Sequence, residues 1–135
     1  MTDALTFLKT RRSRPAKILT APVPDREALE ALLCSAARTP DHGKLEPWRF
    51  IVLEQAALRR LGALARSLAQ TAAPEVVDPD KASQQFGNGQ LAVGVVASPK
   101  PCARVPQIEQ TYAPGPVGLA RLHAAVASGG GPDVL

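Results

Sequence analysis

The chain has 135 residues, enough for one domain, spanning 1–135, with a single hydrophobic core. Hydrophobic residues make up 45% of it and aromatics only 4%, so Ala, Leu and Val must fill that core. The net charge of +4, carried mostly by arginine, suits a small anionic ligand or a nucleic acid, while the widely separated Cys34 and Cys102 argue against a disulfide scaffold or a structural zinc site.

Thr2 or Asp3 can cap a first helix that carries Leu5 and Leu8 on one face and ends near Arg11 to Ser13. Pro15, Pro22 and Pro24 make the segment from Arg14 to Pro24 an extended loop. Asp25 then caps a second helix, in which Leu29, Leu32, Leu33 and Ala36 recur at helical spacing. Pro40, Gly43 and Pro47 punctuate a loop from Arg38 to Trp48, and Phe50 to Leu53 reads as a strand buried on both faces. A third helix runs from about Gln55 to Thr71, with Leu58, Leu61, Leu64, Ala65 and Leu68 at helical spacing. Pro74 to Asp80 breaks it, and a short amphipathic turn follows around Lys81 to Phe86. Leu91 to Ala97 is a second buried strand, followed by a proline-rich loop from Ser98 to Pro106 and a last helix from Val117 to Ser128 that Gly129 stops. Two strands alone do not make an independently stable sheet, so the remaining strands are either absent or supplied by a partner. The N-terminus lacks the apolar run of a signal peptide, and Leu91 to Ala97 is too short to span a bilayer, so the expectation is a cytoplasmic protein without membrane attachment.

Few motifs carry chemistry. Arg11-Arg12-Ser13, with Arg14 and Lys17 close by, is the densest positive cluster. Two guanidiniums and a hydroxyl at a helix–loop junction can bind a phosphate or the electron-rich pyrimidine edge of a flavin; the same run also reads as a solvated charge cluster or a short nucleic-acid patch. The loop Arg38-Thr39-Pro40-Asp41-His42-Gly43 can present a guanidinium and an imidazole to an anionic or heteroaromatic ligand. Its plainer reading is turn chemistry, with Asp41 bonded to nearby amides and His42 exposed. Gly87-Asn88-Gly89-Gln90-Leu91-Ala92 matches a dinucleotide fingerprint by letter, but it precedes a strand instead of following one, and is a turn. No nucleophile motif, P-loop or metal-ligand spacing is present.

TRRSR near the N-terminus, then ALLCSAARTPDHGKLEPWRFIVL, and then LAVGVVASPKP with VPQIEQ resemble the nitroreductase family, in particular its small single-domain NAD(P)H-dependent FMN branch. The resemblance runs from about Ala4 to Gly129. It implies an α+β fold with helices packed around a small sheet, a homodimer, and FMN as cofactor with NAD(P)H as electron donor. It further implies that Arg11, Arg12 and Ser13 hold FMN in their own subunit, and that Arg38 and His42 reach the FMN of the other. The nicotinamide-contacting segment would fall on Ala124, Ala125, Val126, Ala127, Ser128 and Gly129. The implied activity passes a hydride from NAD(P)H through the flavin to a nitro-aromatic or similar small-molecule acceptor.

Two departures from the family pattern stand out. Family members continue past the ending Gly129-Gly130-Gly131-Pro132-Asp133-Val134-Leu135, so the fold is expected to be incomplete at the C-terminus, as in a truncated or frame-shifted member. Ala113-Pro114-Gly115-Pro116 replaces the usual start of the central helix, and its prolines are expected to shorten that helix. The rival reading is therefore a non-catalytic flavin- or partner-binding remnant. A basic nucleic-acid-binding protein is disfavoured, because the other basic residues are scattered and stacking aromatics are scarce.

Overall fold

The computed structural model describes residues 3–12, 18, 20–72 and 75–127. Six helices and two strands follow one another along these residues. Helix α1 (Ala4–Thr10) is capped by Asp3, whose carboxylate accepts from the Thr6 amide at 3.2 Å. Helix α2 (Arg26–Ala36) is capped in the same way by Asp25, which accepts from the Ala28 amide at 2.9 Å. Each cap satisfies an amide that the first helical turn leaves without a partner. After a 3-10 turn at His42–Lys44, strand β1 (Trp48–Glu54) passes directly into helix α3 (Gln55–Ala72). Helix α4 (Pro79–Gly87) returns alongside α3 to strand β2 (Leu91–Ala97). Two further helices, α5 (Gln107–Tyr112) and α6 (Pro114–Ala127), complete the described chain.

The sheet is a single antiparallel pair, with Trp48 opposite Ala97 and Glu54 opposite Leu91. The Ser98 amide donates to the Pro47 carbonyl at 2.8 Å, which carries the pairing one step beyond the strand ends. α3 packs chiefly on α4, and α2 on α6. The core is small: Leu32, Ala36, Leu58, Ala69, Val105, Val117 and Ala125, with Pro47 enclosed beside them. The α+β architecture expected from the sequence is the one observed.

The structure departs from the sequence reading at several places, each for a local reason. Strand β1 is not buried on both faces: the adjacent Ile51 and Val52, which point to opposite faces, are both exposed, because the two-stranded ribbon is left uncovered on each face there. Leu5 and Leu8 also face outward, and it is Phe7 that turns inward, meeting His123 edge-on with ring centroids 6.0 Å apart. On α3 the buried line is Leu58, Gly62 and Ala69, while Leu64 and Leu68 are exposed. Gly62 sets this orientation. A Cβ there would lie 3.1 Å from the Ser83 carbonyl oxygen, so the missing side chain is what lets α4 approach.

α4 is a full helix where a short turn was expected; Asp78 caps it and Pro79 occupies the first turn. α5 was not anticipated at all. α6 begins at Pro114, three residues before the predicted start at Val117, and is not shortened by its prolines. Pro114 and Pro116 both sit in the first turn, where the amides they lack have no helical partner anyway. Gly129, the predicted stop, lies outside the described residues.

Candidate functional site

Arg11 and Arg12 follow the last turn of α1. The Arg11 amide closes the helix by donating to the Phe7 carbonyl at 2.9 Å, and its side chain is half-buried. Arg12 is exposed and folds back: Nη1 donates to the carbonyls of Lys9 and Arg11 at 3.2 and 2.9 Å. Cations at a helix C-terminus complement the dipole, which favours this placement on structural grounds alone. Neither guanidinium has a carboxylate partner among the described residues, so both keep charge and donors for an external anion. Ser13 lies outside the described residues.

The second group sits in the connection from α2 to β1. Asp41 is used internally, its carboxylate accepting from the Glu46 amide at 2.6 Å. Gly43, Lys44 and Glu46 all take positive φ, which folds the loop tightly. A Cβ on Gly43 would come 3.2 Å from Cγ2 of the buried Val105, so glycine lets the loop press against the segment before α5. His42 is exposed, and its Nδ1 lies 2.7 Å from a Glu109 carboxylate oxygen on α5. With Nδ1 engaged, Nε2 is the ring atom left to face a ligand. Arg38 is exposed at the end of α2, with its amide donating to the Ser35 carbonyl. Pro40, His42, Glu109, Tyr112 and Pro116 line a shallow cavity of 200 Å³.

Of the third group, Ala124, Ala125, Val126 and Ala127 form the last turn of α6, with Ala125 buried; Ser128 and Gly129 lie outside the described residues. The three groups thus occupy three separate elements, and the hydrogen bond between His42 and Glu109 is a long-range bond that ties a predicted site residue to a second element.

Sequence reasoning missed two residues of chemical interest. Glu109 carries no local signal, because its role depends on a residue 67 positions away. Its position rests on Gln110, which is buried at 3% exposure. The Gln110 side chain accepts from the Lys100 amide at 2.7 Å and donates to the carbonyls of Lys100 and Val105 at 3.0 and 3.4 Å. Arg121 did carry a signal. It lies one helical turn from both Val117 and Ala125, which are buried, and is the only charged residue in α6. Burial without compensation lowers its pKa, and its Nε has no hydrogen-bond partner among the described residues.

Among the described residues, no three His, Cys, Asp or Glu side chains are grouped to hold a metal ion, and no helix is long and apolar enough to cross a membrane.

The architecture matches a solved structure, that of the nitroreductase-like family protein from Bacillus cereus, with a TM-score of 0.75 over 96% of this chain and 67% of that one. At 21% identity this is a likeness of fold. Fold and comparisons together define the class as an oxidoreductase of α+β architecture. The nitroreductase family model matches residues 8–121, and the chain belongs to that family. It is 39% identical over 135 residues to the "Putative NAD(P)H nitroreductase" of Haemophilus influenzae, covering 94% of this chain and 68% of that protein. It is 36% identical over 129 residues to the protein of the same description, YdjA, from Escherichia coli K12, covering 96% of this chain and 69% of the relative.

Proposed function

We propose that the chain is an FMN-dependent oxidoreductase that takes a hydride from NAD(P)H and serves nitro-aromatic or similar small acceptors, working as a homodimer. The observation that carries this reading is the pair Arg11 and Arg12, two guanidiniums without carboxylate partners among the described residues at the end of α1, in a chain of the nitroreductase family. Their donors fit a terminal phosphate, with Ser13 next in sequence as a further hydroxyl. When bound, the flavin supplies the redox chemistry, and the protein contributes binding, orientation and electrostatics. Arg12 would offer Nε and Nη2, because Nη1 is held by backbone carbonyls. His42, steadied through Nδ1 by Glu109, would present Nε2 to the flavin of the partner subunit, with Arg38 beside it in the same connection. The last turn of α6, continuing to Ser128 and Gly129, would meet the nicotinamide.

A homodimer is further supported by the exposed apolar residues Ile51 and Val52 on β1 and Leu64 and Leu68 on α3, which a second subunit would cover. The same exposure favours a second reading, a flavin-binding protein without turnover, in which the subunit core is too small to hold the cofactor rigidly. Titration with FMN and FAD tests the binding, and NAD(P)H oxidation with FMN present separates the two readings. FMN binding tighter than FAD binding, lost by about 1.5–3 kcal/mol in Arg11→Ala and in Arg12→Ala, is the expected result. Equal affinity for the two flavins, or unchanged FMN binding in both variants, would show that the cluster is a solvated charge run.

A further inference from the structure

A second feature involves α6. A cavity of 310 Å³ opens among α2, α6, the segment before α2, the start of β2, and residues of β1, α3 and α4. Leu29, Leu32, Leu58, Phe86, Val93 and Ala125 are among the apolar residues that line it. That volume is at the small end of the range for small-molecule sites, about 300–1,000 Å³, and the apolar lining is typical of them. Among the described residues, one charged side chain lines it, Arg121. Arg11, Arg12, Arg38 and His42 do not, so it is distinct from the flavin-phosphate residues proposed above, and among the described residues it shares only Ala125 with the proposed nicotinamide segment.

Arg121 is poorly placed for stability. Its Nε is buried with no hydrogen-bond partner among the described residues, and desolvation disfavours its charged form. A guanidinium partly withdrawn from water, with one nitrogen left without an acceptor, favours an anion or a set of acceptors beside it. Gln85, Gln90 and Thr20 also line the cavity, and none of them bears a charge that could answer it. A cation in an apolar chamber calls for an occupant with one negative end and an apolar body. An inorganic ion would leave the leucine walls unfilled, and a neutral hydrocarbon would leave the charge unanswered.

We propose that this cavity binds a small organic carboxylate, with its apolar body among Leu29, Leu58 and Phe86 and its carboxylate paired with the Arg121 guanidinium. A planar guanidinium holds a carboxylate through parallel charge-assisted bonds, which gives the site direction as well as affinity. The exit to solvent lets a chain of variable length protrude, so selectivity falls on the acid group and the first few carbons.

The test uses the whole chain, with octanoate and 1-octanol as probes, followed by isothermal titration calorimetry. Octanoate is expected to bind at least about tenfold more tightly than the alcohol. Arg121→Met should weaken octanoate by about tenfold or more while leaving the alcohol unchanged. Leu29→Trp, which fills the chamber and keeps the charge, should weaken both. Arg121→Met should also melt no lower than the parent, since it replaces a partly buried guanidinium whose Nε has no partner among the described residues. FMN titration of the same variant should be unaltered, which keeps this result independent of the flavin reading. The proposal is overturned if octanoate does not bind the parent chain, as when a second copy closes the cavity. It is equally overturned if Arg121→Met binds octanoate as well as the parent, or if that variant melts lower, which would mean that the guanidinium already has a partner.

Discussion

Removing the Gln110 side chain should cost far more than its place on a short six-residue helix suggests. Gln110 is 3% exposed and makes three bonds that cross from α5 to the proline-rich segment before it. In Gln110→Ala the Lys100 amide loses its acceptor, and the carbonyls of Lys100 and Val105 lose a shared donor. Val105 is 4% exposed, so water cannot readily replace that bond; Lys100 is exposed, and its groups are partly rescued by solvent. Taking about 1–3 kcal/mol for a buried group left unsatisfied, and less for the two at Lys100, gives a loss of about 2–3 kcal/mol. A domain of this size shifts by roughly 3–5 °C per kcal/mol, so the midpoint should fall by about 6–15 °C. Circular dichroism melts at 222 nm, with urea titrations for the free energy, measure it directly. Gln110→Glu provides a second arm: it can still accept from Lys100 but cannot donate, and should be no better than alanine. Because Gln110 seats the helix that carries Glu109, the His42 ring should lose its fixed orientation in both variants, visible as a change in its side-chain nitrogen resonances. A loss below about 0.5 kcal/mol in Gln110→Ala would refute the reasoning and show that the three bonds are replaced by water at no cost.

Other predictions follow from particular contacts. Gly62→Ala should destabilise despite the better helix propensity of alanine, because its Cβ would meet the Ser83 carbonyl oxygen at 3.1 Å and α4 would have to move; a variant that melts higher would mean that α4 yields freely. Asp25→Ala removes the bond to the Ala28 amide at 2.9 Å and should cost about 1 kcal/mol, whereas Asp25→Asn should cost little; equal losses in both would point to charge instead of capping. For the shared flavin site, mixing Arg12→Ala chains with His42→Ala chains should restore some FMN binding through heterodimers. If each variant alone is defective and the mixture binds no more than the two separately, one subunit supplies both residues.

Most of the elements were legible because their signals are local. Asp25 precedes a run of leucines at helical spacing, and LAVGVVA is too apolar and too β-branched for a loop, so α2 and β2 emerged with almost their final bounds. The Pro-x-Pro start of α6 misled, because the rule that proline breaks helices inverts within the first turn. The exposure of Ile51 and Val52 on β1 misled for a different reason. Apolarity in a sequence says that a strand wants cover, and it does not say whether that cover is in the same chain. At the site, the Arg11-Arg12 pair and the His42 loop were visible as chemistry, and the letters alone left open whether each was bait for a ligand or ordinary surface.

What the sequence by itself determined is therefore most of the elements and the family to which the chain belongs, since each depends on neighbours within a few positions or on a motif order. The tertiary structure alone decided which of those residues have partners. It joined His42 to Glu109 across 67 positions, closed the α5 corner on Gln110, and left Arg121 facing an apolar chamber. Pairing and burial are properties of atoms brought together from distant parts of the chain. Periodicity reports which face of a helix is apolar, but only packing sets what that face meets, and so whether a charge on it is answered.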